Sequence, residues 1–164
     1  MLRPATDADL DAMRAWRNHP QVRAVSLTQH EIAAEEHAAW WAKTKDDPTR
    51  RVLVYELSGV PSGVVSFFDV EGGEAMWGFY LDLDGLEARG QTLIAWTKVG
   101  REAVAYAFDE LGVQVLRGEV LGANESVRKM NSLWGFTETG PRPSPAGDAY
   151  DLELRVENRK GRRS

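Results

Sequence analysis

The sequence contains no cysteine, which excludes disulfide bonds, cysteine nucleophiles and thiolate metal sites. It also lacks an apolar run near the roughly 18 residues that a membrane span requires, and it shows no signal-peptide segment. We therefore expect a cytoplasmic protein with no membrane partner and no metal. Its 164 residues, 43% of them hydrophobic, suffice for one domain with a proper core.

The net charge of −5 is unevenly distributed. The last six residues hold four basic side chains and no acid, so residues 1–158 carry −9. An acidic body argues against a general nucleic-acid binder and suits a cationic acceptor better. The expected organisation is one domain over residues 1–156, followed by a basic, disordered tail over residues 157–164.

Helical and strand patterns alternate along the chain. Two N-terminal helices are expected, the second over residues 29–45. Three strand-like runs with short glycine-containing connections follow, then a helix, a strand, a short helix and a last strand. A strand meander followed by a crossover helix predicts an α/β fold whose mixed, mostly antiparallel sheet of about seven strands has helices on both faces.

The stretch from residue 124 to residue 136 carries the signals of a short helix. Asn124 is a good helix cap, and Glu125 is favourable in the first turn. Gly135 ends the helix, and apolar residues recur between these limits at helical spacing: Val127, Met130 and Trp134.

This order of strand, Asn-capped helix and Gly-Phe resembles the C-terminal half of the GNAT superfamily of N-acyltransferases. The matching residues are 119–121, Asn124 and 135–136, and residues 3–9 resemble the family's opening strand and turn. The N-terminal helices resemble the branch that acetylates amino sugars or ribosomal proteins, through Trp16, Arg17, Asn18, Glu35, Glu36, His37 and Trp40. The resemblance implies transfer of an acyl group, expected to be acetyl, from a thioester such as acyl-CoA to a primary amine by direct attack.

In the family, one strand presents backbone groups to the pantetheine arm of the donor, and the next loop binds its pyrophosphate at a helix N-terminus. The donor-binding residues implied here are Phe79, Tyr80, Leu81, Arg89, Gly90, Gln91, Thr92, Asn124 and Arg128. The loop departs from the family pattern, because either Thr92 and Ile94 or Ile94 and Trp96 replace glycines that allow close approach to phosphate. Either a looser loop holds coenzyme A, or the donor is a carrier protein or an aminoacyl-tRNA.

Three residues are candidates for the chemistry: His37, Asn124 and Asn131. His37 suits acid–base work because imidazole titrates near neutral pH, and its alternative is a half-buried helical residue. Many relatives carry a Tyr seven residues after the Asn, where it protonates the departing thiolate. Asn131 stands there and donates a hydrogen bond but no proton. The alternative interpretation of Asn131 is a solvent-facing helix residue. The alternative interpretation of Asn124 is a helix cap without a further role.

The acceptor is expected to contact a set of polar and aromatic residues: Arg17, Asn18, Trp40, Trp41, Glu74 and Trp77. Alternatively, each Trp is a core residue, and Glu74 is a carboxylate at the edge of a hairpin with no role in binding. The first hypothesis is an acyltransferase, monomeric or homodimeric, that modifies an amino sugar or a natural-product intermediate. The second keeps the reaction but takes a carrier-protein or tRNA donor, with phosphate contacts from residues 159–163. The third is a non-catalytic GNAT-shaped binding module.

Overall fold

A computed structural model describes residues 1–160 and confirms the predicted α/β fold. The helices are α1 (Leu10–Arg17), α2 (Pro20–Ala24), α3 (Ala34–Thr44), α4 (Leu83–Ala88), α5 (Thr92–Ala105) and α6 (Glu125–Trp134). The strands are β1 (Leu2–Pro4), β2 (Arg51–Leu57), β3 (Val60–Glu71), β4 (Glu74–Leu81), β5 (Val115–Leu121), β6 (Thr137–Arg142) and β7 (Ala149–Arg155). A π-helical turn over Tyr106–Glu110 extends α5. Within this part of the chain, no helix has the length and apolar character to cross a membrane.

Seven strands form one sheet in the order β1-β2-β3-β4-β5-β7-β6. Every neighbouring pair is antiparallel except β4 and β5, which run parallel. These two strands pair only at their beginnings, where Glu74 lies opposite Val115 and Met76 lies opposite Arg117. Beyond that point their facing edges part, so a cleft opens in the middle of the sheet.

Both faces of the central strands are covered. Val54 and Val64 are buried on one face, and Leu53, Val65 and Phe67 are buried on the other. Helices α5 and α6 pack against the second face, and α1 contacts β3 and β4 from the first. Burial on both faces explains why these strands are apolar along most of their length.

Helix α3 begins at Ala34, so the predicted start near residue 29 is wrong. Residues 25–33 form an irregular segment, the 25–33 loop. Asn18 fixes its end, because its side-chain oxygen accepts from the Ile32 N–H at 2.7 Å and its amide donates to the Ile32 carbonyl at 2.9 Å. These bonds to the Ile32 backbone hold the chain away from α3 until Ala34.

Gly100 allows α6 to approach α5 closely. A Cβ atom at this position would lie 2.1 Å from the indole ring of Trp134. That indole packs edge-on against two rings of β4. The distance between ring centres is 5.9 Å to Trp77 and 5.8 Å to Phe79. The glycine therefore seats an aromatic cluster that supports one wall of the cleft.

We expect Gly100→Ala to lower the free energy of unfolding by about 1–3 kcal/mol, the usual cost of overpacking. Alanine is otherwise better than glycine in a helix by about 1 kcal/mol, so steric conflict must outweigh propensity. Urea denaturation measures this change. Combined with Trp134→Leu, the substitution should cost less than the sum of the two single changes. A stabilised Gly100→Ala protein would contradict this packing.

The beginning of the predicted basic tail contacts the domain. Arg159 pairs with Asp109 at 2.7 Å, and Lys160 donates to the Ser132 carbonyl at 3.4 Å. The rest of the predicted tail, residues 161–164, lies outside the described residues. The domain boundary at residue 156 stays a prediction.

Candidate active site

Three cavities meet at the cleft between β4 and β5. The central cavity, of about 530 Å³, is lined by the parting strands, by the 25–33 loop and by α6. The α5-side cavity, of about 540 Å³, extends towards Leu83, Thr92 and Trp96. The α3-side cavity, of about 280 Å³, extends towards His37. Tyr80 lines all three cavities and so marks their junction.

Asn131 faces the central cavity from α6 and is only 2% exposed. Neither Oδ1 nor Nδ2 of its side chain has a hydrogen-bond partner among the described residues. The solvent-facing alternative is therefore wrong. Residues 127, 131 and 134 lie four and three positions apart, which places Asn131 on the inward face of the helix. A buried amide without partners costs about 1–3 kcal/mol, so this side chain requires an explanation.

Asn124 lies where the central and α5-side cavities adjoin. Its side-chain oxygen also accepts a long hydrogen bond, 3.4 Å, from the Val127 N–H and so caps α6. The capping interpretation is thus confirmed. A further contact of Asn124 with an acyl donor stays a prediction.

The N-terminus of α5 opens on the α5-side cavity without a side-chain cap. Gln91 occupies the cap position and makes no capping hydrogen bond, whereas Thr92 lines the cavity. The first backbone N–H groups of a helix have no partner within it, so they are available to an anion. Leu93 and Ile94 are 80% and 47% exposed. The bulky Ile94 at an expected glycine position is therefore about half exposed, and it does not line the α5-side cavity.

The side chains of the preceding loop brace it and do not line this cavity. Arg89 donates to Ser62 Oγ at 3.0 Å and to the Gln91 side chain at 3.3 Å. Gly90 adopts a positive φ of 66°, which lets the chain turn from α4 into α5. Of the predicted donor-binding residues, the structure gathers five around the α5-side cavity: Phe79, Tyr80, Leu81, Thr92 and Asn124.

Arg128 lies on a different side of α6. It binds the Glu138 carboxylate at 2.6 Å, and its guanidinium lies 4.0 Å from the centre of the Tyr150 ring. It lines a separate cavity together with Lys129 and Glu138. The structure therefore does not bring Arg128 to the other predicted donor-binding residues.

His37 is buried and stacks on Trp40, with 5.1 Å between the ring centres. Burial lowers its pKa, and Arg14 lowers it further, while Asp11 acts in the opposite direction. The imidazole is therefore neutral at pH 7 and able to accept a proton. His37 lines the α3-side cavity but not the central one, and Trp40 and Tyr80 line both.

The lowered pKa of His37 predicts that acid destabilises the fold. Below its ordinary pKa of 6.5, the unfolded chain takes up a proton that the folded protein resists. The free energy of unfolding is unaffected by this group above that pH and falls as the pH decreases below it. We expect His37→Gln to lose less stability than the wild type between about pH 7 and about pH 5, measured by urea denaturation. An equal loss in both proteins would contradict this effect.

The structure brings together three of the residues predicted to contact an acceptor. Arg17, Trp40 and Trp77 all line the central cavity. Asn18 does not, because its amide is bound to the Ile32 backbone.

The other two predicted acceptor residues lie elsewhere. Trp41 is buried, and its indole N–H donates to Asp7 at 2.7 Å, outside all three cavities. Glu74 pairs with Arg117 at 3.0 Å, at the end of β4 where the two strands are still joined. The structure therefore separates Trp41 and Glu74 from the cleft.

Sequence reasoning missed six polar residues that line the central cavity: Ser26, Thr28, Thr44, Arg50, Ser66 and Glu119. Ser66 had a signal, since it is a hydroxyl residue within an apolar strand and lies opposite Gly78 on β4. Glu119 lies on β5 and pairs with Arg142 at 2.9 Å. Thr28 lies in the irregular 25–33 loop, where no periodicity indicates which residues face inward.

Residues 1–137 match the family model of the acetyltransferase (GNAT) domain. The chain therefore belongs to the GNAT acetyltransferase family. A search of curated proteins found no significant match.

Several solved structures share the fold. The N-acetyltransferase PseH of Campylobacter jejuni is 19% identical, with a TM-score of 0.70 and coverage of 95% of this chain and 97% of that one. The spermidine N-acetyltransferase of Vibrio cholerae, solved with CoA and spermine, is 18% identical, with a TM-score of 0.79 and 96% coverage of both chains. The aminoglycoside acetyltransferase AAC(6')-Ib, solved with ribostamycin and coenzyme A, is 17% identical, with a TM-score of 0.81 and coverage of 100% and 97%.

Proposed function

We propose that this protein is an N-acyltransferase that moves an acyl group, expected to be acetyl, from acyl-coenzyme A to a primary amine of a small molecule. The observation that carries the proposal is the unpartnered, buried amide of Asn131 in the cleft where β4 and β5 part. Membership of the GNAT acetyltransferase family supports it. So do similar folds that were solved with coenzyme A and an amine bound.

The cleft suits a pantetheine arm. Beyond Met76, the edge of β4 that faces β5 has no ladder partner among the described residues, whereas its other edge pairs with β3. An extended chain bearing amides can add to such a free edge through backbone hydrogen bonds. The arm would pass Phe79 and Tyr80 and enter the central cavity.

In the α5-side cavity, backbone N–H groups and not cationic side chains would bind the phosphates of the donor. Among residues 1–160, Glu87 is the single charged residue that lines it, so no described cation there attracts an anion. The uncapped N-terminus of α5 supplies N–H groups and the positive end of the helix dipole. These groups, with Thr92 at the first helical position, would hold the pyrophosphate.

In the proposed reaction, the acceptor nitrogen forms a bond to the thioester carbonyl carbon, the C–S bond breaks, and the thiolate takes up a proton. Asn131 would donate its Nδ2–H to the developing oxyanion or to the thiolate, where preorganised donors lower the barrier most. A thiol with a pKa near 8.5 leaves readily without a strong acid, so an amide suffices there. His37, neutral and reached from the central cavity past Trp40, would accept the proton of the amine.

The donor alternatives receive no comparable support. Arg159, one of the basic residues expected to contact a tRNA, is paired with Asp109 at 2.7 Å. A non-catalytic module would gain nothing from the buried, unpartnered amide of Asn131, which lowers stability. We therefore propose acyl-coenzyme A as the donor and a catalytic role for the cleft. An amino sugar or a natural-product intermediate stays our proposal for the acceptor.

Thiol release from acetyl-coenzyme A in the presence of a panel of primary amines tests this function. We expect amine-dependent release that exceeds hydrolysis without amine, with an acetylated product detected by mass spectrometry. Release at the amine-free rate with every acceptor class, amino sugars and peptides included, would overturn the proposal.

A further inference from the structure

Arg17 carries a positive charge and lines both the central and the α3-side cavity. One terminal nitrogen of its guanidinium, Nη2, donates to the Thr28 carbonyl at 2.8 Å. The other, Nη1, is buried and has no partner within residues 1–160. The side chain therefore holds the 25–33 loop through Nη2, whereas Nη1 makes no hydrogen bond to the described residues.

Within residues 1–160, no carboxylate pairs with the Arg17 guanidinium. The electrostatic neighbours of Arg17 are Tyr80 and Arg23, and burial raises the pKa of Tyr80, so its phenol is neutral. Two carboxylates line the central and α3-side cavities, and both are already engaged. Glu36 binds His30 at 2.8 Å, and Glu119 binds Arg142 at 2.9 Å. Burial of Nη1 without a partner is costly, and an anion in the cavity would remove that cost.

Three hydroxyl side chains share the cavities that Arg17 lines. Thr28, Ser66 and Tyr80 line the same two cavities as Arg17. A guanidinium with neighbouring hydroxyl donors is the arrangement that recognises an oxyanion. Arg50, a second cation that lines the central cavity, lies 3.7 Å from Asp47 and does not line the α3-side cavity. The single charge of Arg17 therefore balances one negative charge, which favours a carboxylate over a doubly charged phosphate.

We propose that the acceptor is an amine that also carries a carboxylate, and that Arg17 binds this carboxylate through Nη1. This inference rests on the proposed function and names its substrate class. It also replaces the expectation of a cationic acceptor, which came from the net charge of the whole chain. The acidic excess lies over the body of the protein, whereas the charge at the cavity junction is positive.

The test compares primary amines in matched pairs, each an amino acid and its carboxamide, with thiol release from acetyl-coenzyme A as the readout. We expect the wild type to favour the acid by about 10- to 100-fold in kcat/KM, the range of one hydrogen bond to a charged group. Arg17→Gln should lower kcat/KM for the acid by about 10- to 100-fold more than for its carboxamide, so that the preference is lost. Aminophosphonates in the same panel distinguish a carboxylate site from a phosphate site.

Arg23→Gln is the matched control, because Arg23 also braces the loop, through the Gln29 carbonyl at 3.2 Å, without lining a cavity. It should keep the preference for acids. A preference for carboxamides, or for phosphonates over carboxylates, would overturn the inference, as would equal loss of both substrates in Arg17→Gln.

Failure of the proposed function is recognised separately. If no amine releases thiol, thermal denaturation with amino acids and their amides still tests the site. A rise in Tm with the acids that Arg17→Gln abolishes supports the carboxylate site, and no rise in the wild type overturns it.

Discussion

Asn131→Leu is expected to make the protein more stable and, at the same time, to remove most of its acyl transfer. Leucine has nearly the shape of asparagine but no polar atoms, so it removes two buried groups that have no partner. We expect the free energy of unfolding to rise by about 1–3 kcal/mol. We also expect kcat for thiol release to fall by about 100-fold, the usual effect of losing one preorganised donor.

The two effects must occur together for this interpretation to hold. Ser132→Leu serves as the control, since it makes a similar change one residue along α6 at an exposed position. It should change stability by less than about 0.5 kcal/mol and leave the rate unchanged. If Asn131→Leu lost both stability and activity, the amide would be structural and the proposed role of Asn131 would be wrong.

Thr92→Asp is expected to strengthen α5 and to abolish donor binding. An acidic side chain at the start of a helix is favourable by about 0.3–1 kcal/mol. The same charge would occupy the position proposed for the pyrophosphate, where repulsion between unit charges at about 4 Å reaches a few kcal/mol near a protein surface. The Kd for acetyl-coenzyme A should therefore rise by at least about tenfold.

Lys98→Gln controls for the change in net charge. It also makes the protein more negative by one charge, but Lys98 is exposed on α5 and does not line the α5-side cavity. Its Kd should stay close to that of the wild type. Wild-type affinity in Thr92→Asp would contradict placement of the phosphates at this helix N-terminus.

The order of elements was predictable because it depends on local patterns. Strands β2 to β4 and helix α6 were recognised from alternation, turns, the cap Asn124 and the stop Gly135, and the structure confirms them. Helix α3 was predicted to begin too early. Its first residue is set by bonds between Asn18 and Ile32, which are far apart in sequence.

The site was predictable only where a residue lies on a regular element. The positions of Tyr80 on β4 and Thr92 at the start of α5 follow from the strand and helix that carry them. The positions of the other predicted site residues depend on contacts with partners that are distant in sequence. Arg128 is drawn away by Glu138, and Trp41 is held by Asp7, and neither pairing leaves a signal in local spacing.

The inward orientation of Asn131 was hidden by its neighbour. Met130, at the preceding position, matched the apolar period as well as Val127 and Trp134 did. A helix face about 100° wide accommodates either residue, so periodicity alone does not decide which of the two is buried. Packing of Trp134 against Trp77 fixes the rotation of α6 and thereby turns Asn131 into the cleft.

Calorimetric titration of the wild-type protein with acetyl-coenzyme A, in the absence of any acceptor, tests most directly whether the cleft is an acyl-donor site. We predict one donor per chain with a micromolar Kd, weakened by Thr92→Asp and not by Lys98→Gln. No heat of binding at millimolar donor would contradict the account, because neither the free edge of β4 nor the N-terminus of α5 would then hold the donor.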